Sequence, residues 1–161
     1  SVTGVQTCAL PILTIGEYCN REVTISEPDT SIIEAAKLMR RHHVGDLVVV
    51  DRQEGKNLPV GIVTDRDLVL EVLAQDVDPD SLSIKDIMST DLVTVLESET
   101  FLRVLDIMKK QRVRRILVVD DHGGLQGILS ADDALELIAE AMNDLTGLVK
   151  REIAREADLR P

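Results

Sequence analysis

Aromatic side chains are almost missing from this chain: 161 residues include one Phe, one Tyr and no Trp. Platforms for single-stranded nucleic acid rely on base–aromatic stacking, so the composition argues against that class. Basic residues are outnumbered, 18 against 29 acidic, for a net charge of −11. Such a field repels nucleic acid and anionic membrane surfaces wherever no local basic patch overrides it. No apolar run approaches the ~20 residues of a membrane span. Two cysteines are too few for a disulfide framework, and a reducing cytoplasm is the expected compartment. A P-loop, an HExxH pair and a Ser-His-Asp order are also missing, so no catalytic constellation is visible. His42 and His43 are adjacent and diverge by ~100° on a helix, which prevents them from chelating one metal ion as a pair.

What the chain does have is a repeat. From Ile15 it reads I-G-E-Y-C, then E-V-T-I-S-E-P-D-T-S-I-I-E-A-A-K-L-M, V-G-D-L-V-V-V-D and G-I-V-T-D-R-D-L. From Ile84 it reads I-K-D-I-M, then L-V-T-V-L-E-S-E-T-F-L-R-V-L-D-I-M, V-R-R-I-L-V-V-D and G-I-L-S-A-D-D-A-L. Most matched positions lie 69 apart, as Met39 and Met108 do; Thr24 and Thr94 lie 70 apart. A repeat of this length is a folding unit, and two copies are expected to pack as a pseudo-twofold pair. A unit of about 65 residues buries only ~60% of its chain surface and is marginal alone, so mutual burial is the natural remedy. The expected organisation is a leader over 1–12, a first repeat over 13–75, a linker over 76–83, a second repeat over 84–140 and a helical tail over 141–161.

The segment Val2–Ile12, V-T-G-V-Q-T-C-A-L-P-I, carries no charge and no periodicity. It resembles the translation of a sequencing-library adapter. Ser1–Ile12 is therefore read as non-native, which leaves Cys19 as the native thiol, expected to be buried and structural.

Each repeat reads β-α-β-β-α, an α/β (α+β) unit with a three-stranded sheet and both helices on one side. In the first, Val23–Ser26 alternates like a strand, and Thr30 or Ser31 caps a helix that runs to about His42. Leu47–Val50 is a β-branched run suited to a buried strand. A polar loop is expected over Arg52–Leu58, a strand over Val60–Val63 and a helix from Asp65 to about Ala74. In the second, strands are expected at Leu92–Leu96, Ile116–Val119 and Leu125–Leu129, and helices over Thr100–Gln111 and from Ala131. In the tail, Leu135, Ile138, Met142, Leu145 and Val149 step by three and four. That seam either folds back over its own core or packs on a partner subunit. Gly147 interrupts it at ~1 kcal/mol.

The sharpest signal is a repeated strand-to-helix corner, Gly61–Asp67 and Gly127–Asp133, of pattern Gly-apolar-apolar-hydroxyl-x-x-Asp. Thr64 with Asp67, and Ser130 with Asp133, share one face at the carboxyl end of a strand, where open sheets bind ligands. The glycine permits close approach of another backbone or a flat ring. The alternative is a capping box, with Thr64 or Ser130 as N-cap and the Asp three residues on; it accounts less well for the glycine in both copies. Basic residues gather at Lys109, Lys110, Arg112, Arg114 and Arg115, with Arg40 and Arg41 at the matched place and Arg66 inside the first corner. A helix C-terminus favours cations and suffices for Lys109 and Lys110. Arg114 and Arg115 lie past the helix and suit bidentate phosphate contact.

With these corners the chain resembles a tandem pair of CBS (cystathionine β-synthase) domains, a Bateman module, over about Thr14–Ala139. The resemblance implies adenosine-nucleotide binding, with Asp67 or Asp133 on the ribose and Thr64 or Ser130 on ribose or phosphate. It further implies an adenine pocket from Thr24, Ile25, Val44, Gly45 and Asp46 in one copy, and from Thr94, Val95, Val113, Arg114 and Arg115 in the other. Many members carry Pro where this chain has Val48 and Leu117. The expected function is a regulatory module that senses AMP, ADP or ATP and signals to an effector protein or through a homodimer. S-adenosylmethionine and dinucleotides share the adenosine handle. The rival readings are an assembly module without a nucleotide and a nucleotide hydrolase; no catalytic cofactor, nucleic acid or membrane is expected.

Overall fold

The computed structural model describes residues 14–159, with side chains as far as residue 156. The leader over Ser1–Ile12, with Cys8, lies outside the described residues. The first repeat comprises α1 (Ile15–Tyr18), β1 (Ile25–Ser26), α2 (Ile32–His42), β2 (Asp46–Gln53), β3 (Lys56–Thr64) and α3 (Asp65–Asp67), which continues as a wide π-type turn over Leu68–Leu73. The second comprises α4 (Ile84–Ile87), β4 (Thr94–Leu96), α5 (Phe101–Gln111), β5 (Arg115–Val119), β6 (Leu125–Ser130) and α6 (Ala131–Leu159). No helix among the described residues is long and apolar enough to cross a membrane.

The two hydroxyls before α2 take different roles. Ser31 Oγ accepts the Glu34 N–H at 3.2 Å and caps the helix. Thr30 Oγ1 accepts the Glu27 N–H at 3.2 Å and closes the preceding turn. At the far end His43 adopts a left-handed conformation, φ 55°, and its counterpart Arg112 does the same, φ 57°. These residues turn the chain so that Val44 and Val113 head into the second strand of each sheet, each N–H bonding back to a methionine carbonyl, Met39 or Met108.

The sheets have order β1-β2-β3 and β4-β5-β6, the first pair of each parallel and the second antiparallel. Thr64 sits opposite Asp46, and Ser130 opposite Arg115. Both antiparallel pairs shift register at one matched place, beside Val49 and Val118, next to the corner glycines. The expected polar loop over Arg52–Leu58 is instead mostly ladder: Arg52 pairs with Asn57 and Gln53 with Lys56. Glu54 and Gly55, both at positive φ, make a two-residue turn whose twist suits a hairpin. The polar side chains had hidden strands that project past the core and need no apolar alternation.

One face of each sheet carries helices. Ala35 and Met39 of α2 pack with Leu47, Val49 and Val63; Val104 and Met108 of α5 pack with Ile116, Val118 and Leu129. The other faces meet each other through Val48, Val50 and Leu117, with Val23, Ile25, Leu92, Leu125 and Ile128 around them. Val48 and Leu117, where many CBS domains have proline, are thus in the inter-sheet core.

The short opening helices are exchanged. Ile15 of α1 is fully buried in the second repeat's helix-side core, and Ile84 of α4 in the first's. Ile15 and Gly16 N–H donate to the carbonyls of Glu99 and Glu97 at 2.7 and 3.0 Å; Ile84 and Lys85 N–H donate to those of Thr30 and Pro28 at 2.9 and 3.0 Å. The tail does not fold back. α6 runs unbroken for 29 residues through Gly147, and its seam residues remain exposed.

Candidate functional site

Both corners are built as capping boxes. Thr64 Oγ1 and N–H donate to Asp67 Oδ2 at 2.8 and 2.7 Å, and the Asp67 N–H returns to Thr64 Oγ1 at 3.2 Å. Ser130 Oγ and N–H donate to Asp133 Oδ2 at 2.6 and 2.9 Å, and the Asp133 N–H returns at 3.0 Å. One carboxylate oxygen of each Asp is therefore engaged locally. Among the described residues no donor reaches the other oxygen of either.

The glycines have a packing role. A Cβ on Gly61 would collide with the Met88 side chain, and one on Gly127 would lie 2.9 Å from the Asn20 carbonyl oxygen, against the Cys19 thiol as well. Met88 follows α4 and Cys19 follows α1, so each exchanged helix delivers its next residue onto the other repeat's glycine. Antiparallel bridges Asn20–Ile128 and Ile62–Ser89 lock these crossings. The close neighbour is thus backbone and side chain of this chain. Burial pushes the Cys19 thiol above its ordinary value, away from nucleophilic use.

A cleft of about 200 Å³ lies where the halves meet. Thr64 and Ile62 of the first repeat form one side; Leu92, Val93, Val113, Arg114, Arg115 and Leu117 of the second form the rest, with Ser89 and Asp91 at the crossing. The exchange of opening helices puts one repeat's corner against the other's strands. The structure therefore brings together Thr64, Val113, Arg114 and Arg115, which the sequence had placed in different copies. Asp67 and Arg66 do not line this cleft. Ile62, Ser89, Asp91, Leu92 and Val93 were not singled out in the sequence; the repeat alignment could have offered Ser89 and Asn20, which follow matched helices.

A second, larger cavity of about 530 Å³ is lined by Thr24, Ile25 and Val44, with Asn20, Glu22, Val23, Leu38 and His42. Gly45 lies beside the Asp65 carboxylate. Asp46 forms an ion pair with Arg115 across the pseudo-dyad, joining two equivalent positions. Arg114 pairs with Asp132 at 3.5 Å on an exposed surface. Thr94 is exposed and Val95 is buried in the helix-side core. Asp133 lines a third cavity with Cys19, Asn20 and Glu136. Among the described residues no cluster of His, Cys, Asp or Glu could hold a metal ion.

A family model described as the CBS domain matches residues 15–74 and again 84–140. The chain belongs to the CBS domain family. Among solved structures it is similar to the CBS domain pair of protein MJ0100 in complex with 5′-methylthioadenosine and S-adenosyl-L-methionine, with 29% identity, a TM-score of 0.69, and coverage of 81% of this chain and 99% of that one. An uncharacterized protein of Methanopyrus kandleri is 36% identical over 125 residues, 78% of this chain and 62% of the relative. Inosine-5′-monophosphate dehydrogenase of Chlorobaculum parvum is 35% identical over 113 residues, which take in 69% of this chain and 22% of the enzyme. The chain thus spans less than two thirds of the length of both of these relatives.

Proposed function

We propose that this CBS pair is a regulatory module that binds an adenine nucleotide in the Thr64 cleft and passes the change to an effector protein or a second copy. One observation carries the reading: Thr64, an apolar wall and two arginines from the opposite repeat converge on one cleft. The wall of Leu92, Val93, Val113 and Leu117 suits a flat base in a chain with almost no aromatic rings. The cleft is smaller than the ~300–1,000 Å³ usual for ligand pockets, so a nucleoside would fill it and leave its phosphates at the mouth beside Arg114. At the matched places of the first repeat stand Gly45 and Asp46, which offer phosphate no cation. The similar pair MJ0100 with two adenosine compounds supports the adenosine handle; the arginines favour its phosphorylated forms. Asp67 does not line the cleft, but it is bonded to Thr64, which does, and its unengaged oxygen is proposed to meet the ribose at the cleft's edge. No catalytic role is proposed.

Isothermal titration calorimetry with AMP, ADP, ATP and S-adenosylmethionine tests this. An adenylate is expected to bind, and Arg114→Ala to weaken it about tenfold or more, since a hydrogen bond to a charged group contributes ~1.5–3 kcal/mol. Absence of heat with every adenylate would overturn the reading. One observation favours the assembly-module alternative: the local capping boxes give Thr64, Ser130, Asp67 and Asp133 a sufficient structural reason to be there.

A further inference from the structure

We propose that Asp46 sets the selectivity of the Thr64 cleft: by pairing with Arg115 it restricts the ligand to an adenosine monophosphate and turns away the triphosphate, a selectivity that rests on the nucleotide reading of that cleft. Asp46 and Arg115 are the first residues of β2 and β5 and lie 69 apart, at the matched place of the two repeats. Asp46 is the ladder partner of Thr64, as Arg115 is of Ser130. Side chains directly opposite in a ladder share one face, so Asp46 stands beside the hydroxyl that lines the cleft. Its ion pair with Arg115 joins the two corners across the pseudo-dyad. With side chains 37% (Arg115) and 23% (Asp46) exposed, it is the least exposed ion pair among the described residues. Water and salt therefore screen it less than a surface pair.

Two arginines in one cleft would by themselves suit a polyphosphate. The carboxylates around them change that. Asp46 neutralises Arg115 from within, Asp91 lines the cleft, and Asp132 lies 3.5 Å from Arg114 at the exposed rim. Two cations therefore meet three carboxylates. Arg114 is the one a ligand can recruit: its contact with Asp132 is long and both side chains are more than three-quarters exposed, where an ion pair contributes little. One guanidinium binds one phosphate in a bidentate fork. A β- and a γ-phosphate would bring further negative charge beside Asp46 and Asp91, with no further cation among the lining residues. Like charges set together in this way exclude the wrong ligand. Asp46 also supplies the anion that its matched place would otherwise demand. An arginine there would face Arg115 across the dyad, and the two would call for a polyphosphate between them.

Isothermal titration calorimetry of the full chain with magnesium-free AMP, ADP and ATP at one ionic strength provides the test. Affinity is expected to fall in that order, with AMP bound about tenfold more tightly than ATP. Asp46→Asn is expected to raise the affinity for ATP more than that for AMP and to close most of the gap. Arg115→Ala, which leaves Asp46 unpaired, is expected to widen it. Each variant is read by its own ratio of the two affinities, which a mere loss of stability leaves unchanged. ATP bound by the wild type as tightly as AMP overturns the proposed selectivity and leaves the nucleotide reading standing. A ratio that Asp46→Asn does not move has the same effect. Binding of no adenylate overturns both.

Discussion

Gly127 is where one missing methyl group matters most. Its Cβ position is claimed by the Asn20 carbonyl and the Cys19 thiol, a backbone atom and a buried side chain that cannot both withdraw. Gly127→Ala is expected to destabilise the fold by about 1–3 kcal/mol, the usual range for overpacking. Gly61→Ala is expected to cost less, because the unbranched Met88 side chain can turn aside. Urea unfolding of the two variants measures the difference, and equal costs would contradict this account. The paired glycines were legible in the sequence, but their cause was not. The residues that crowd Gly127 are over a hundred positions away, and spacing within a repeat says nothing of contacts between repeats. The same limit explains the cleft: Thr64, Arg114 and Arg115 were each visible as ligand-binding candidates, while their convergence follows from the exchange of opening helices.

Short helices lean on their caps. In α4, Asp86 Oδ2 accepts the Ser83 N–H at 2.8 Å and the Ser83 hydroxyl at 3.0 Å, and these bonds hold the Asp86 carboxyl below its ordinary 3.8. In the β5–β6 turn, the N–H groups of Gly124 and His122 hold Asp120 low in the same way. A depressed carboxyl contributes stability that is complete above its unfolded value and fades as pH falls through its folded value. Thermal melts between pH 6 and 2 are expected to show that loss on the acid side, and Asp86→Asn and Asp120→Asn to flatten it. Unchanged acid dependence in both variants would remove these two groups from the account. The long elements were legible because 3.6-residue and two-residue periodicities reach the sequence through burial. The Arg52–Leu58 ladder escaped because it buries none of the side chains by which periodicity is read; the helical period of α6 was visible, but not whether its seam folds back over the core.

The two halves hold each other by their opening helices, so neither has a complete core alone. Truncating Ile84→Ala is expected to cost about 2–5 kcal/mol, the range for a buried large-to-small change, although α4 precedes the second repeat and Ile84 packs in the first. Ile15→Ala is expected to act alike on the second. Urea unfolding followed by circular dichroism and by hydrogen exchange in each sheet is expected to give coincident transitions; two separate ones would show halves that fold independently. The pseudo-twofold pairing was readable from the 69-residue period, since a unit this small needs a companion, but nothing in the period says which helix crosses over. That crossing has an ancestral corollary. A polypeptide holding a single repeat would offer one arm and one empty socket, and two such molecules would satisfy each other by trading arms. The tandem chain is that handshake made permanent by a linker.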